Sequence, residues 1–110
     1  MPARGRQISV IHLMSEAVPF AKTGGLADVG GALPPAQAAA GDRVRVFLPF
    51  YRKVRRGDFP LEPTGIEVPV EIDNRLVAAR LWRCRRGGVD YLFVDQPHFF
   101  DRAGLYGEGG

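Results

Sequence analysis

The chain is poor in the residues that staple or ligate. Among its 110 residues it holds one cysteine, Cys84, and two histidines, His12 and His98. A lone cysteine excludes an intrachain disulfide and builds no zinc site by itself. It fits a reducing, cytoplasmic setting better than an oxidising one. No acidic cluster suits a metal, and no cofactor is expected. Long apolar runs are missing too: nothing approaches the roughly 18 residues of a membrane span, so no membrane partner is expected. The apolar stretch behind the basic start MPARGRQ is interrupted by His12, Ser15 and Glu16 and makes a poor signal peptide. Excess charge of one sign is also absent. The balance is 15 Lys and Arg against 12 Asp and Glu, or +3, without the clustered basic residues and interleaved aromatics that nucleic acid would require. Nothing repeats, and no segment is of low complexity.

What is present suits one modest globular core: 45% hydrophobic and 25% charged residues in a 110-residue chain. Ile8 to Met14 is a short apolar run with Val and Ile, as in a strand covered on both faces of a parallel sheet. Pro19 ends any local helix, and Gly24 and Gly25 let the backbone turn with no Cβ in the way. Leu26, Val29, Leu33, Ala36 and Ala40 then recur at helical spacing. Pro34 and Pro35 predict a kink or a restart near Leu33, and Gly41 a stop. The Lys-Thr-Gly-Gly loop therefore lies at the amino end of a helix, where unpaired amides and the helix dipole favour an anion and Lys22 adds a full charge. This points to a phosphate or diphosphate site beyond the carboxyl end of the first parallel strand.

Arg43 to Phe50 reads as the second strand, with Val44, Val46 and Leu48 on one face. Ile66 to Asp73 alternates cleanly and reads as a half-exposed edge strand, its outward Pro69 suiting an edge. Asp73 and Asn74 supply a turn, Arg75 to Arg85 returns as the hairpin partner, and Gly87 and Gly88 turn again into Val89 to Val94, which rejoins the sheet. The basic run holding Arg52, Lys53, Arg55 and Arg56 is either a solvated loop or a contact to an anionic or glucan ligand. His12 reads as a hydrogen-bonded interior histidine, and Trp82 and Phe99 as packing residues. Asp95 and Asp101 fall in turn contexts where short acids bond to backbone amides.

The run SEAVPFAKTGGLADVGGALPPA from Ser15 resembles the amino-terminal signature of bacterial and plastid glycogen and starch synthases. RVRVFLPFY at Arg43 and VDYLFVDQPHFFDRAGLYG at Val89 are similar to later blocks of that family, in the same order. The resemblance implies an α/β fold: a partial Rossmann-like (GT-B type) amino-terminal domain, with a parallel sheet core and an added β-hairpin. It implies that residues 1–110 are an incomplete catalytic domain of a retaining glucosyltransferase, whose partners are ADP-glucose and an α-1,4-glucan. By the same resemblance Lys22 contacts the sugar nucleotide, Gly24 and Gly25 bring amides to its phosphates, and Asp28 lies near the donor sugar. Thr23 is counted with them as substrate-binding, and Glu16 also matches the motif without an assigned role. His98 either lines the site or organises its loop, and Tyr106 is a candidate for the donor or glucan cleft. The main catalytic groups are expected beyond residue 110, so the chain alone should have little or no synthase activity. The alternatives are a non-catalytic nucleotide or anion module and an inactive remnant.

Overall fold

The computed structural model describes residues 7–96; His98, Phe99, Asp101 and Tyr106 lie outside them. In chain order the elements are β1 (Ser9–Leu13), α1 (Gly25–Ala39), β2 (Arg43–Pro49), α2 (Arg52–Arg55), β3 (Glu62–Ile72), β4 (Arg75–Arg86) and β5 (Val89–Asp95). They build one five-stranded sheet in the order β1-β2-β5-β4-β3. β1, β2 and β5 run parallel, whereas β4 and β3 add antiparallel beside β5. The expected α/β class, with a parallel core and an added hairpin, is what the chain forms.

Alternation puts the core on one face. Val44, Val46 and Leu48 of β2 are buried beside Val89, Tyr91 and Phe93 of β5 and Cys84 of β4. Because side chains alternate along a strand, β1 turns Val10 and His12 to this face, and His12 Nε2 meets Gln37 Oε1 of α1 at 2.6 Å. The other face of β1, expected to be covered, is bare among the described residues: Ile11 and Leu13 are exposed.

Helix α1 removes one of two alternatives and corrects one expectation. It runs through Pro34 and Pro35 as one helix with no restart. Its apolar stripe also faces outward: Leu26, Val29 and Leu33 are 55%, 55% and 43% exposed, while Ala27, Gly30 and Pro34 are buried. The reason is close approach. A Cβ on Gly30 would lie 2.8 Å from the Glu16 carbonyl oxygen and 2.9 Å from Met14 Sδ, and one on Gly31 would lie 2.9 Å from Val18. The small face reaches the loop; a large face would be held off. The helix ends as expected at Gly41, whose φ of 102° is open to glycine. The Gly41 and Asp42 amides donate to the Ala38 and Gln37 carbonyls, which closes a Schellman motif.

The hairpin turns on Asp73 and Asn74, with φ of 51° and 61°, in register with Ile72 opposite Arg75. Gly87 and Gly88 make the second turn between Arg86 and Val89. β3 starts earlier than the alternation suggests, because a bulge between Pro63 and Glu67 lets the pairing resume after an irregular step. It is the edge strand, as Pro69 indicated. Its apolar side is not buried: Ile66, Val68 and Val70 are 53%, 39% and 36% exposed.

Candidate functional site

The carboxyl ends of β1, β2 and β5 open on one side of the sheet, where open α/β sheets hold ligands. The segment after β1 is tied down there from three directions. The Met14 amide donates to the Phe47 carbonyl of β2, the Tyr51 hydroxyl to the Ser15 carbonyl at 3.0 Å, and the Val18 amide to the Ala27 carbonyl of α1 at 3.0 Å. A tight turn follows, in which the Phe20 and Ala21 amides both donate to the Ala17 carbonyl. Phe20, 1% exposed, drops its ring among Phe59, Tyr91 and Phe93, with centroids 4.7 to 5.1 Å apart. Tilted and edge-on pairs of this kind add to burial. Phe20 thus plugs the loop into the core.

Beyond that plug lie the predicted site residues. Lys22, Thr23, Gly24 and Gly25 are exposed at the amino end of α1, with Asp28 in its first turn. Lys22 Nζ meets Asp28 Oδ1 at 2.7 Å, and both side chains are more than half exposed. Glu16, which is 2% exposed, turns its carboxylate to the same loop. Its Oε1 accepts the Thr23 and Gly24 amides at 3.2 and 3.1 Å, and its Oε2 accepts the Thr23 hydroxyl at 2.6 Å. The Gly24 amide, expected to face a phosphate, is thus engaged by the protein itself. The Gly25 and Leu26 amides, next in line, have no acceptor among the described residues.

The two glycines do not serve the turn as expected. Gly24 is extended, with φ of −168°, and a Cβ on either Gly24 or Gly25 would meet nothing within 4 Å. The fold does not require glycine at these positions. Among the described residues nothing occupies the space beside their backbone.

The basic run, expected as a loop, forms the short helix α2, and Arg55 turns toward the sheet. Its guanidinium sits 4.4 Å over the Phe50 ring and pairs with Asp95. Asp95 also accepts the Trp82 indole N–H at 3.0 Å. This corrects the expectation that Asp95 caps backbone amides: it ends β5 and links α2 to β4. Trp82 packs against the core, as expected. The sequence gives no sign that Phe20, Tyr51 or the Arg55–Asp95 pair belongs to this rim, and Glu16 matches the motif only without a role. A broad depression lined by Arg45, Glu62, Arg83 and Asp90 lies on the other face of the sheet and touches none of these groups. Among the described residues no three His, Cys, Asp or Glu gather to hold a metal, and no helix is long and apolar enough to cross a membrane.

Residues 9–110 match the family described as the starch synthase catalytic domain. The chain belongs to that family. It is 41% identical over 100 residues to a glycogen synthase of Syntrophotalea carbinolica, covering 91% of this chain and 21% of that protein. It is 36% identical over 106 residues to a granule-bound starch synthase 1 of Solanum tuberosum, covering 96% and 16%. The catalytic domain of starch synthase IV from Arabidopsis thaliana, solved bound to ADP and acarbose, superposes with a TM-score of 0.83 at 30% identity, covering 94% of this chain and 22% of that one. This starch synthase domain segment therefore spans about a fifth of the length of these bacterial and structural relatives. Within it lies the whole strand, loop and helix unit that carries Lys22.

Proposed function

We propose that the chain is the donor-loop part of a retaining glucosyltransferase, a glycogen or starch synthase moving glucose from ADP-glucose to the non-reducing end of an α-1,4-glucan. One observation carries this reading. In a member of the family, Lys22, the unengaged Gly25 and Leu26 amides and the open space beside Gly24 and Gly25 converge at the amino end of α1. The ADP and acarbose of the Arabidopsis relative support both halves of the reading, a nucleotide and a glucan.

As glucose leaves, negative charge builds on the departing diphosphate, and donors already aimed at that position lower the barrier. Lys22 and the first-turn amides supply such donors without reorganising the fold. The Lys22–Asp28 pair does not compete strongly, because an exposed pair contributes only about 0–1 kcal/mol. A diphosphate takes the ammonium, and the released Asp28 carboxylate turns to a hydroxyl of the donor sugar. The segment belongs to the first of two domains, and the remaining diphosphate clamp comes from the second. The 110 residues alone bind donor weakly and turn it over little. We place the protein in the cytoplasm, where a nucleotide sugar is available.

Calorimetry with ADP-glucose, ADP and inorganic phosphate tests the reading. Selective binding of the two nucleotides is expected, with a loss of about tenfold or more on Lys22→Ala, since hydrogen bonds to charged groups contribute roughly 1.5–3 kcal/mol. Equal weak binding of all three anions, or an unchanged Lys22→Ala variant, overturns it.

A further inference from the structure

We propose that Glu16 is the positioning residue of the donor loop, fixing where an anion can sit; this rests on the donor reading above. Burying a carboxylate is costly unless hydrogen bonds replace its water. Glu16 nevertheless lies at 2% exposure, next in sequence to the core residue Ala17. Three of its hydrogen bonds go to two consecutive residues, Thr23 and Gly24. Charge-assisted bonds of this kind are the strong ones.

Two consequences follow from the geometry. The carboxylate fixes the backbone at Thr23 and Gly24, so the residues on either side, Lys22 before and Gly25 after, inherit their positions. It also takes up the Thr23 and Gly24 amides. A diphosphate is therefore directed to the Gly25 and Leu26 amides and to Lys22, and it is kept from settling deeper by a like charge. Glu16 itself stands on a rigid mount. The neighbouring Ser15 carbonyl receives the Tyr51 hydroxyl, the Val18 amide is bonded to α1, and Gly30 brings α1 against the Glu16 carbonyl.

Chemistry separates positioning from mere filling. Glu16→Gln keeps the side-chain shape and one oxygen able to accept both amides. Its amide nitrogen can only donate, so the Thr23 hydroxyl must turn to accept. Glu16→Ala removes all three bonds, and Thr23→Val removes the hydroxyl bond from the exposed side without touching the core.

The test is an ADP titration of the 110-residue chain and these three variants, read by calorimetry, together with amide hydrogen exchange at Thr23 and Gly24. In Glu16→Ala the affinity for ADP should fall about tenfold or more, and both amides should exchange at least about tenfold faster, the loss of one or more charge-assisted bonds. Glu16→Gln should recover most of the amide protection and come within about threefold of the parent affinity, and Thr23→Val should fall between the two. If Glu16→Ala does not fold, Thr23→Val and Glu16→Gln carry the test. Affinity and exchange both unchanged in Thr23→Val, or Glu16→Gln no better than Glu16→Ala, overturn the proposal. Should the parent chain bind no ADP, the donor reading fails by itself. The exchange rates then still decide whether Glu16 holds the loop: faster exchange in the variants supports the clamp, and unchanged exchange ends it.

Discussion

The two sides of the sheet are built on different grounds. On the parallel side, β1, β2 and β5 lie against α1 and the loop, and their inward residues Val46, Val89 and Phe93 are fully buried. On the hairpin arm, β3 and β4 hold each other by backbone pairing and two-residue turns, while Ile66, Val68, Val70 and Leu76 stay exposed. Burial specifies the first side and turn chemistry the second. The loop that carries Lys22 belongs to the buried side, which is why it can be held to a defined shape.

The largest effect should come from breaking that dependence at Phe20. Truncating a buried aromatic removes its transfer free energy and leaves a cavity, together about 3–5 kcal/mol. Phe20→Ala should lower chemical-denaturation stability by that amount and loosen the loop as well. A loss under about 1 kcal/mol would mean that the ring does not anchor it.

Gly30 gives the next largest effect. A methyl group there would press on the Glu16 carbonyl oxygen and Met14 Sδ. Backbone on one side and helix on the other give little room, so Gly30→Ala should cost about 1–3 kcal/mol as overpacking, and ADP affinity should fall with it. Gly24→Ala, where a Cβ meets nothing, should leave stability unchanged while reducing ADP binding. This pair of glycines separates packing from ligand approach.

The same contrast explains what could be read from the residues alone. Val44, Val46 and Leu48 announce a strand because only burial arranges them at every second position, and Asp73, Asn74, Gly87 and Gly88 announce turns because few residues accept positive φ. The inward face of α1 was not legible. Periodicity assumes that the largest apolar residues go inside, whereas Gly30 and Gly31 admit the 14–18 segment so closely that Ala27 and Pro34 take the inner face. At the site, the strand, loop and helix order placed Lys22 and Asp28 at the amino end of α1. Glu16 matched the motif, but its role was not legible, because two of its bonds go to backbone amides, which leave no pairing signal in the sequence. Arg55 and Asp95 are 40 residues apart, joined only by the fold.

The seam between the two sides should show itself in alkali. Cys84 of β4 stands opposite Tyr91 of β5, both buried. Burial pushes the Cys84 thiol above its ordinary value, with Arg86 pulling the other way, and Tyr91 is raised for the same reason. Both groups hold their protons more tightly when folded. Their contribution is therefore whole below the unfolded thiol pKa of about 8.5 and is lost as pH rises through the folded values. Stability should decline above that pH, and less so in Cys84→Ala after allowance for its cavity. A flat profile up to pH 10 would show that the seam admits water.

The smallest effect belongs to the arm. Val68 faces Ala79 across the β3–β4 pair at 39% exposure, and threonine keeps its branched shape and strand preference. If turn chemistry and backbone pairing hold the arm, exchanging a methyl for a hydroxyl that water can reach should change stability by no more than about 0.5 kcal/mol. The neighbouring turn should matter more: replacing Asn74, at φ of 61°, by a β-branched residue forces that side chain into the left-handed region. A Val68→Thr loss larger than that of Asn74→Val would reverse the ranking, making burial the organising force on both sides of the sheet.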